Sequence, residues 1–177
     1  MITRMEPSDM ELIFPTIELK QAALDYRQEH FDHGERAIHG DGGLDEAETY
    51  EGWLEQIQAD LTRDDGRFVP ATTYFAVADG CIVGALQIRH KLNAHLLENG
   101  GHIGYGVRPS QRRKGYATKM LALALEKCRE LGIDKALVTC DKSNIASAKT
   151  ILTNGGVLEN EFTESNGNIV QRYWISI

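Results

Sequence analysis

The spacing of apolar positions changes several times along the chain, and each change predicts an element. Residues 1–6 suit a short first strand. Behind Pro7, Ser8 and Asp9, which supply capping groups, Leu12, Ile13, Ile17, Leu19, Ala23 and Leu24 recur at roughly helical spacing. They predict a helix over 10–29. Residues 30–43, rich in Gly, Asp and His, read as a loop. A second helix is predicted over 45–61, with Trp53, Leu54 and Ile57 turned inward.

The period then shortens. Residues 72–78 are β-branched and aromatic, Asp79-Gly80 signals a hairpin turn, and 81–89 continue as the partner strand. A third run, 102–108, opens after Gly100-Gly101 and stops at Pro109. Over 115–131 the helical period returns with a strong stripe of Met120, Leu121, Leu123, Ala124, Leu125 and Cys128, and Gly132 suits the C′ position. Residues 135–140 read as a buried strand and 144–153 as a helix capped by Asn144. Two strands, 157–163 and 168–175, follow around Asn166-Gly167.

This order predicts an α/β protein of the α+β type: a mixed, largely antiparallel central sheet flanked by about four helices. With no repeat, low-complexity tract or linker, residues 1–177 read as one domain, and that length can bury a sizeable core. An apolar share of 42% and a charged share of 25% are ordinary. The net charge of −7 argues against non-specific affinity for nucleic acid or anionic membrane. No apolar run approaches a membrane span, and the first residues lack the apolar core of a signal peptide. Three cysteines without CxxC spacing suit reduced thiols. A cytoplasmic protein is expected.

The chemistry concentrates between the third strand and the long helix. Arg112, Arg113 and Lys114, with Arg108 nearby, form the densest basic cluster of an acidic chain, immediately before a helix start. The first amides of a helix have no internal partner and sit at the positive end of its dipole, a natural seat for an anion such as a pyrophosphate. Gly115 and the small Ala117 permit close approach of phosphate to backbone. Basic side chains oppose the dipole there and, exposed, also suit a solvated turn. Gly104-x-Gly106 fails as a dinucleotide fingerprint, because Pro109 replaces the last glycine, and no P-loop pattern exists.

Arg112-Arg113-Lys114-Gly115-Tyr116-Ala117 resembles the Q/R-x-x-G-x-G/A signature of the GNAT acetyltransferase superfamily, placed between the expected strand and helix. Residues 138–155, with Asn144 opening their helix, resemble that family's next strand–helix segment. The likeness covers roughly 72–177 and is topological over the first seventy residues. It implies acetyl-CoA as acyl donor, with the pyrophosphate on the amides from Arg113 through Lys114, Gly115, Tyr116 and Ala117 to Thr118. It also implies that Val107 and Arg108 pair with the pantetheine like an added strand, that Asn144 bonds the pantetheine arm, and that an N–H near Val107 polarises the thioester. The family often carries a tyrosine acid seven residues after the Asn; here that position is Ile151, and Gly156 replaces a frequent aromatic. A mandatory tyrosine acid at that site is thereby excluded, and an ordered water can serve instead.

An amine acceptor must lose its proton, since a lysine-like amine has a pKa of about 10.4. His102, at the start of the third strand, is the expected base, set against a half-exposed histidine at a strand entry. His90 is a weaker alternative. His30 and His33 around Asp32 form too sparse a set for a metal site. Glu29, Asp32, Glu35, Asp41, Asp45, Glu46 and Glu48 cluster in the first half with only Arg36 among them, a surface that would attract a cationic amine or simply be solvated. Two functions follow: an N-acetyltransferase acting on a small-molecule or protein amine, or a catalytically silent acyl-CoA-binding regulatory module. A homodimer is compatible with either.

Overall fold

The computed structural model describes residues 9–177, so the expected strand over 1–6 lies outside the described residues. Pro15 interrupts the predicted first helix, because proline removes a donor and clashes inside a helix. The chain before it is a short strand, β1 (Glu11–Ile13), and helix α1 begins only at Lys20 (Lys20–Asp32). Its buried residues Ala23, Tyr26 and His30 keep the three-to-four spacing of one helical face. Helix α2 (Tyr50–Asp60) starts where Thr49 accepts the N–H of Gly52 through its hydroxyl at 3.0 Å. Strands β2 (Ala71–Ala78) and β3 (Cys81–Arg89) form the expected hairpin. A short helix, α3 (Ala94–Glu98), precedes β4 (Ile103–Val107). Helix α4 (Tyr116–Glu130), β5 (Lys135–Asp141), α5 (Ile145–Thr153), β6 (Val157–Thr163) and β7 (Ile169–Ser176) complete the chain.

All strand ladders are antiparallel, but they form two sheets rather than the single sheet expected. One has the order β1-β2-β3-β4 and the other β5-β7-β6. Side-chain alternation divides the larger sheet between two cores. Leu86, Ile88 and Ile103 meet Met120, Leu121 and Ala124 of α4 and Ile151 of α5. On the opposite face Ala85 and Phe75 meet Tyr26 of α1 and Trp53 and Ile57 of α2. The α4/α5 face and the α1/α2 face are therefore chemically separate sides of β3 and β4.

The two sheets touch at one junction. The N–H of His102 donates to the carbonyl of Leu137 (2.8 Å), and the N–H of Leu137 donates back to the His102 ring at Nδ1 (2.9 Å). Gly101 permits this approach: its φ is 62°, and a Cβ there would lie 2.3 Å from the Leu137 carbonyl oxygen. Among the described residues the pairing is confined to a single bridge between Gly101 and Val138, where a ring nitrogen stands in for a backbone acceptor. Residues 103–105 and 139–141 then run on as two separate walls.

Candidate active site

The backbone of β4 alternates between its two neighbours. Arg89 N–H bonds the His102 carbonyl (2.7 Å) and Arg108 N–H bonds the Val83 carbonyl (2.8 Å), so even-numbered residues of β4 pair with β3. Ile103, Tyr105 and Val107 consequently turn their N–H and carbonyl groups toward the gap before β5. The Val107 carbonyl takes the Nε of Arg112 (3.1 Å), which leaves its N–H facing the gap. Arg108, expected to share the strand-like pairing, has its amide committed to β3 instead.

Where β4 gives way to α4, Arg113 (φ 62°) and Gly115 (φ 84°) are both left-handed. Such turns direct successive amides into one concavity. None of the amides over 113–118 donates a hydrogen bond among the described residues; the first bond of α4 runs from Lys119 to Gly115. The first turn contains no acidic residue, and nothing stands within 4 Å of a Cβ built on Gly115. This free, positively polarised nest fits a pyrophosphate.

The basic cluster divides into two pairs with different duties. Arg108 Nε donates to Glu29 (2.9 Å), which also accepts from the Ser110 hydroxyl (3.1 Å). Arg112 Nη2 forks onto both oxygens of Glu35 (2.5 and 2.8 Å). These partners hold the Glu29 and Glu35 carboxyls below the usual range. Two ion pairs thus tie α1 and the residues after it to the loop, while Arg113 and Lys114 make no ion pair among the described residues. The acidic first half is largely engaged internally: Asp41 accepts the N–H groups of Gly43 and Asp45, Asp45 accepts that of Ile38, and Asp32 accepts from Gln28.

Beyond the His102 junction, a pocket of about 240 Å³ opens through the sheet between β4 and β5. Tyr105, Asn144 and Ser147 line it from the α4/α5 face, and His39, Gly40 and Arg89 from the other. Asn144 caps α5 by accepting the Ser147 N–H at 3.1 Å, and its side-chain amide donors have no partner among the described residues. The Tyr105 hydroxyl lies 2.7 Å from the Ser147 hydroxyl, and burial pushes its pKa up to about 12. The loop after α1 reaches the pocket because β4 carries glycines: a Cβ on Gly106 would lie 2.8 Å from the His39 carbonyl oxygen. Ile151, at the family's tyrosine position, is fully buried in the core.

His102 is 6% exposed and stands beside this pocket rather than lining it. Its Nδ1 lone pair is engaged by Leu137, and a neutral imidazole has only one such acceptor. Burial, reinforced by the Arg89 charge, lowers its pKa to about 4. His90 bonds the Thr72 hydroxyl at 2.7 Å, and His30 packs edge-on against Tyr26 inside the α1/α2 core. Sequence reasoning missed His39, Arg89 and Ser147. Of the pocket's polar lining, the sequence points to Asn144.

The split between the two sheets thus has unpartnered amides at one end and polar groups on both faces. The acetyltransferase (GNAT) family model matches residues 26–152, more than two thirds of the chain, and the protein belongs to that family. No curated protein matches it significantly. Among solved structures it is similar to the microcin C7 self-immunity acetyltransferase MccE in complex with acetyl-CoA and AMP (17% identity, 95% of this chain and 92% of that one, TM-score 0.69). It is likewise similar to RimL, a ribosomal alpha-N-protein acetyltransferase, in complex with coenzyme A (19%, 95% and 94%, TM-score 0.69). A third is the Salmonella typhimurium acetyl transferase that modifies the N-terminal serine of a 50S ribosomal subunit protein (18%, 95% and 95%, TM-score 0.64). At these identities the likeness establishes the fold. Among the described residues no helix is long and apolar enough to cross a membrane.

Proposed function

We propose that this protein is an N-acetyltransferase that takes acetyl-CoA as acyl donor and a primary amine as acceptor. The observation that carries the reading is the run of unpartnered amides over 113–118 at one end of a gap opened through the sheet. Those amides, with the side chains of Arg113 and Lys114, which no carboxylate neutralises among the described residues, hold the pyrophosphate. The outward-facing groups of Val107 and Tyr105 receive the pantetheine as an added strand, and the Asn144 side-chain amide donates to it from the opposite wall. The reactive thioester then lies in the split, where an outward N–H of β4 stabilises charge developing on its oxygen.

The acceptor enters from the α1/α2 face, beneath His39. His102 acts here as a positioning residue: its lone pair holds Leu137, and its low pKa leaves it little basicity. His39 is exposed on the pocket wall and has no hydrogen-bond partner among the described residues, which makes it the better candidate to accept the amine proton, directly or through water. The Tyr105–Ser147 hydroxyl pair, on the other side of the split, would donate toward the departing sulfur in a chain that carries Ile151 at the family's tyrosine position. Binding without turnover, as in a silent acyl-CoA module, finds no support in the fold comparisons. A thiol-release assay with acetyl-CoA and a panel of amines tests the reading. Amine-dependent release is expected, whereas tight binding with no release on any amine would refute it.

A further inference from the structure

The last residue of β3 carries a charge without a counter-charge. Arg89 shares strand parity with Ala85 and Gln87 and so projects on the α1/α2 face. Its Nη1 donates to the carbonyls of Gly100 (3.0 Å) and Gly101 (3.4 Å). Its Nε and Nη2 have no hydrogen-bond partner, and the side chain makes no ion pair among the described residues. A Cβ on Gly104 would lie 3.5 Å from both terminal nitrogens, so only the absence of a side chain there leaves the guanidinium open to the pocket. Asp141 on the far wall accepts instead from Asn168 at 2.8 Å. Burial alone lowers the Arg89 pKa, with no carboxylate to offset it. A desolvated guanidinium lacking an anion is an unfavourable arrangement that a ligand can relieve.

We propose that Arg89 binds an oxyanion carried by the acceptor, so that the substrate is a small amine bearing a carboxylate or phosphoryl group. This rests on the acetyltransferase reading and narrows it. The planar guanidinium still offers two donor atoms, Nε and Nη2, the pair an oxyanion takes in a forked contact. The size of the pocket matches the end of a small molecule, and Arg89 fixes one end of the acceptor while the amine points toward the split. The acidic surface of the first half does not select the substrate, because its carboxylates are largely engaged by Arg108, Arg112 and backbone amides.

The test measures kcat/KM at saturating acetyl-CoA for matched amines: an amino carboxylate, its neutral amide, an aminophosphonate and a simple alkylamine. The intact chain should prefer the anionic members, and the carboxylate and phosphonate arms identify which oxyanion fits. Arg89→Gln should reduce their kcat/KM on the order of 10- to 100-fold, the range of one charged hydrogen-bond contact. Neutral amines and acetyl-CoA affinity should change little, and Arg89→Lys should restore part of the preference. Equal turnover of anionic and neutral amines by the intact chain overturns the Arg89 assignment while leaving the acetyltransferase reading standing. Loss in Arg89→Gln spread evenly over all four amines does the same, assigning the side chain to the Gly100–Gly101 turn alone. No turnover with any of them overturns the Arg89 assignment, and the wider amine panel then decides the acetyltransferase reading separately. Should Arg89→Gln not fold, the discrimination by the intact chain and by Arg89→Lys decides.

Discussion

The Nδ1 atom of His102 accepts the backbone N–H of Leu137 at 2.9 Å, so a side chain at the entry to β4 stands where a strand would have presented a carbonyl. This contact joins the two sheets at the single bridge between them among the described residues. It also gives His102 a pH signature distinct from that of a general base.

The folded pKa of His102, about 4, lies below the ordinary imidazole value of about 6.5. Between those values the unfolded chain binds the additional proton. Stability is therefore fully present above pH 6.5 and declines as pH falls toward 4. Urea denaturation followed from pH 7 to pH 4.5 should show this loss, with a shallower slope in His102→Gln. The pH–rate limb of amine acetylation should keep its midpoint in that variant. Disappearance of a limb near 6.5, with a rate fall of about 10²–10⁴-fold, would instead restore His102 as the base.

The division of the basic cluster predicts unequal effects on coenzyme binding. Arg113→Ala and Lys114→Ala each remove a cation that no carboxylate neutralises, and each should weaken acetyl-CoA by about 0.5–1.5 kcal/mol in calorimetry at low salt. Arg112→Ala should weaken it less, because Glu35 already offsets that charge. If Arg112→Ala proves the most damaging of the three, the ion pair must open to receive phosphate.

Gly115 caps α4 with φ 84° in open space, so two substitutions separate backbone strain from charge. Asn tolerates the left-handed region better than most residues. Gly115→Asn is expected to retain measurable acetyl-CoA affinity. Gly115→Asp, nearly the same shape with a negative charge at the nest, should abolish it. Equal affinities for the two variants would place the pyrophosphate elsewhere.

Asn144 has two duties that mutation can divide. Asn144→Ala loses the α5 cap, a destabilisation of about 0.5–2 kcal/mol, together with the side-chain amide donor. Asn144→Ser keeps a capping oxygen but not that donor. The serine variant should melt close to the parent and still lose about 0.5–1.5 kcal/mol of coenzyme affinity, one hydrogen bond's worth. Full affinity in Asn144→Ser would mean that Asn144 serves the fold alone.

Tyr105→Phe removes the hydroxyl that faces Ser147 and leaves the ring packed against the α4/α5 core. Should that pair protonate the leaving sulfur, kcat falls by about 10²-fold or more while KM for the amine holds. An unchanged kcat would leave the proton to water.

Most elements from β2 onward could be read from the sequence because their causes are local: alternation in 72–89, Pro109 and Gly115 around the basic loop, the α4 stripe, and the Asn144 cap; the short helix α3 was not among them. The family signature also lies within six consecutive residues. Local pattern failed at β1, where apolar residues at nearly helical spacing pair with β2 because Pro15 forbids a continuous helix and the edge of β2 supplies hydrogen-bond partners. The site itself depended on distance. Glu29 meets Arg108 and Glu35 meets Arg112 across 79 and 77 residues, so an apparently open acidic surface becomes the partner of the cofactor loop. Tertiary structure alone decided that His102 engages its lone pair on Leu137 and that Gly104 leaves Arg89 uncovered. Composition records how many charges a chain carries, but which of them meet is set by the packing of remote elements.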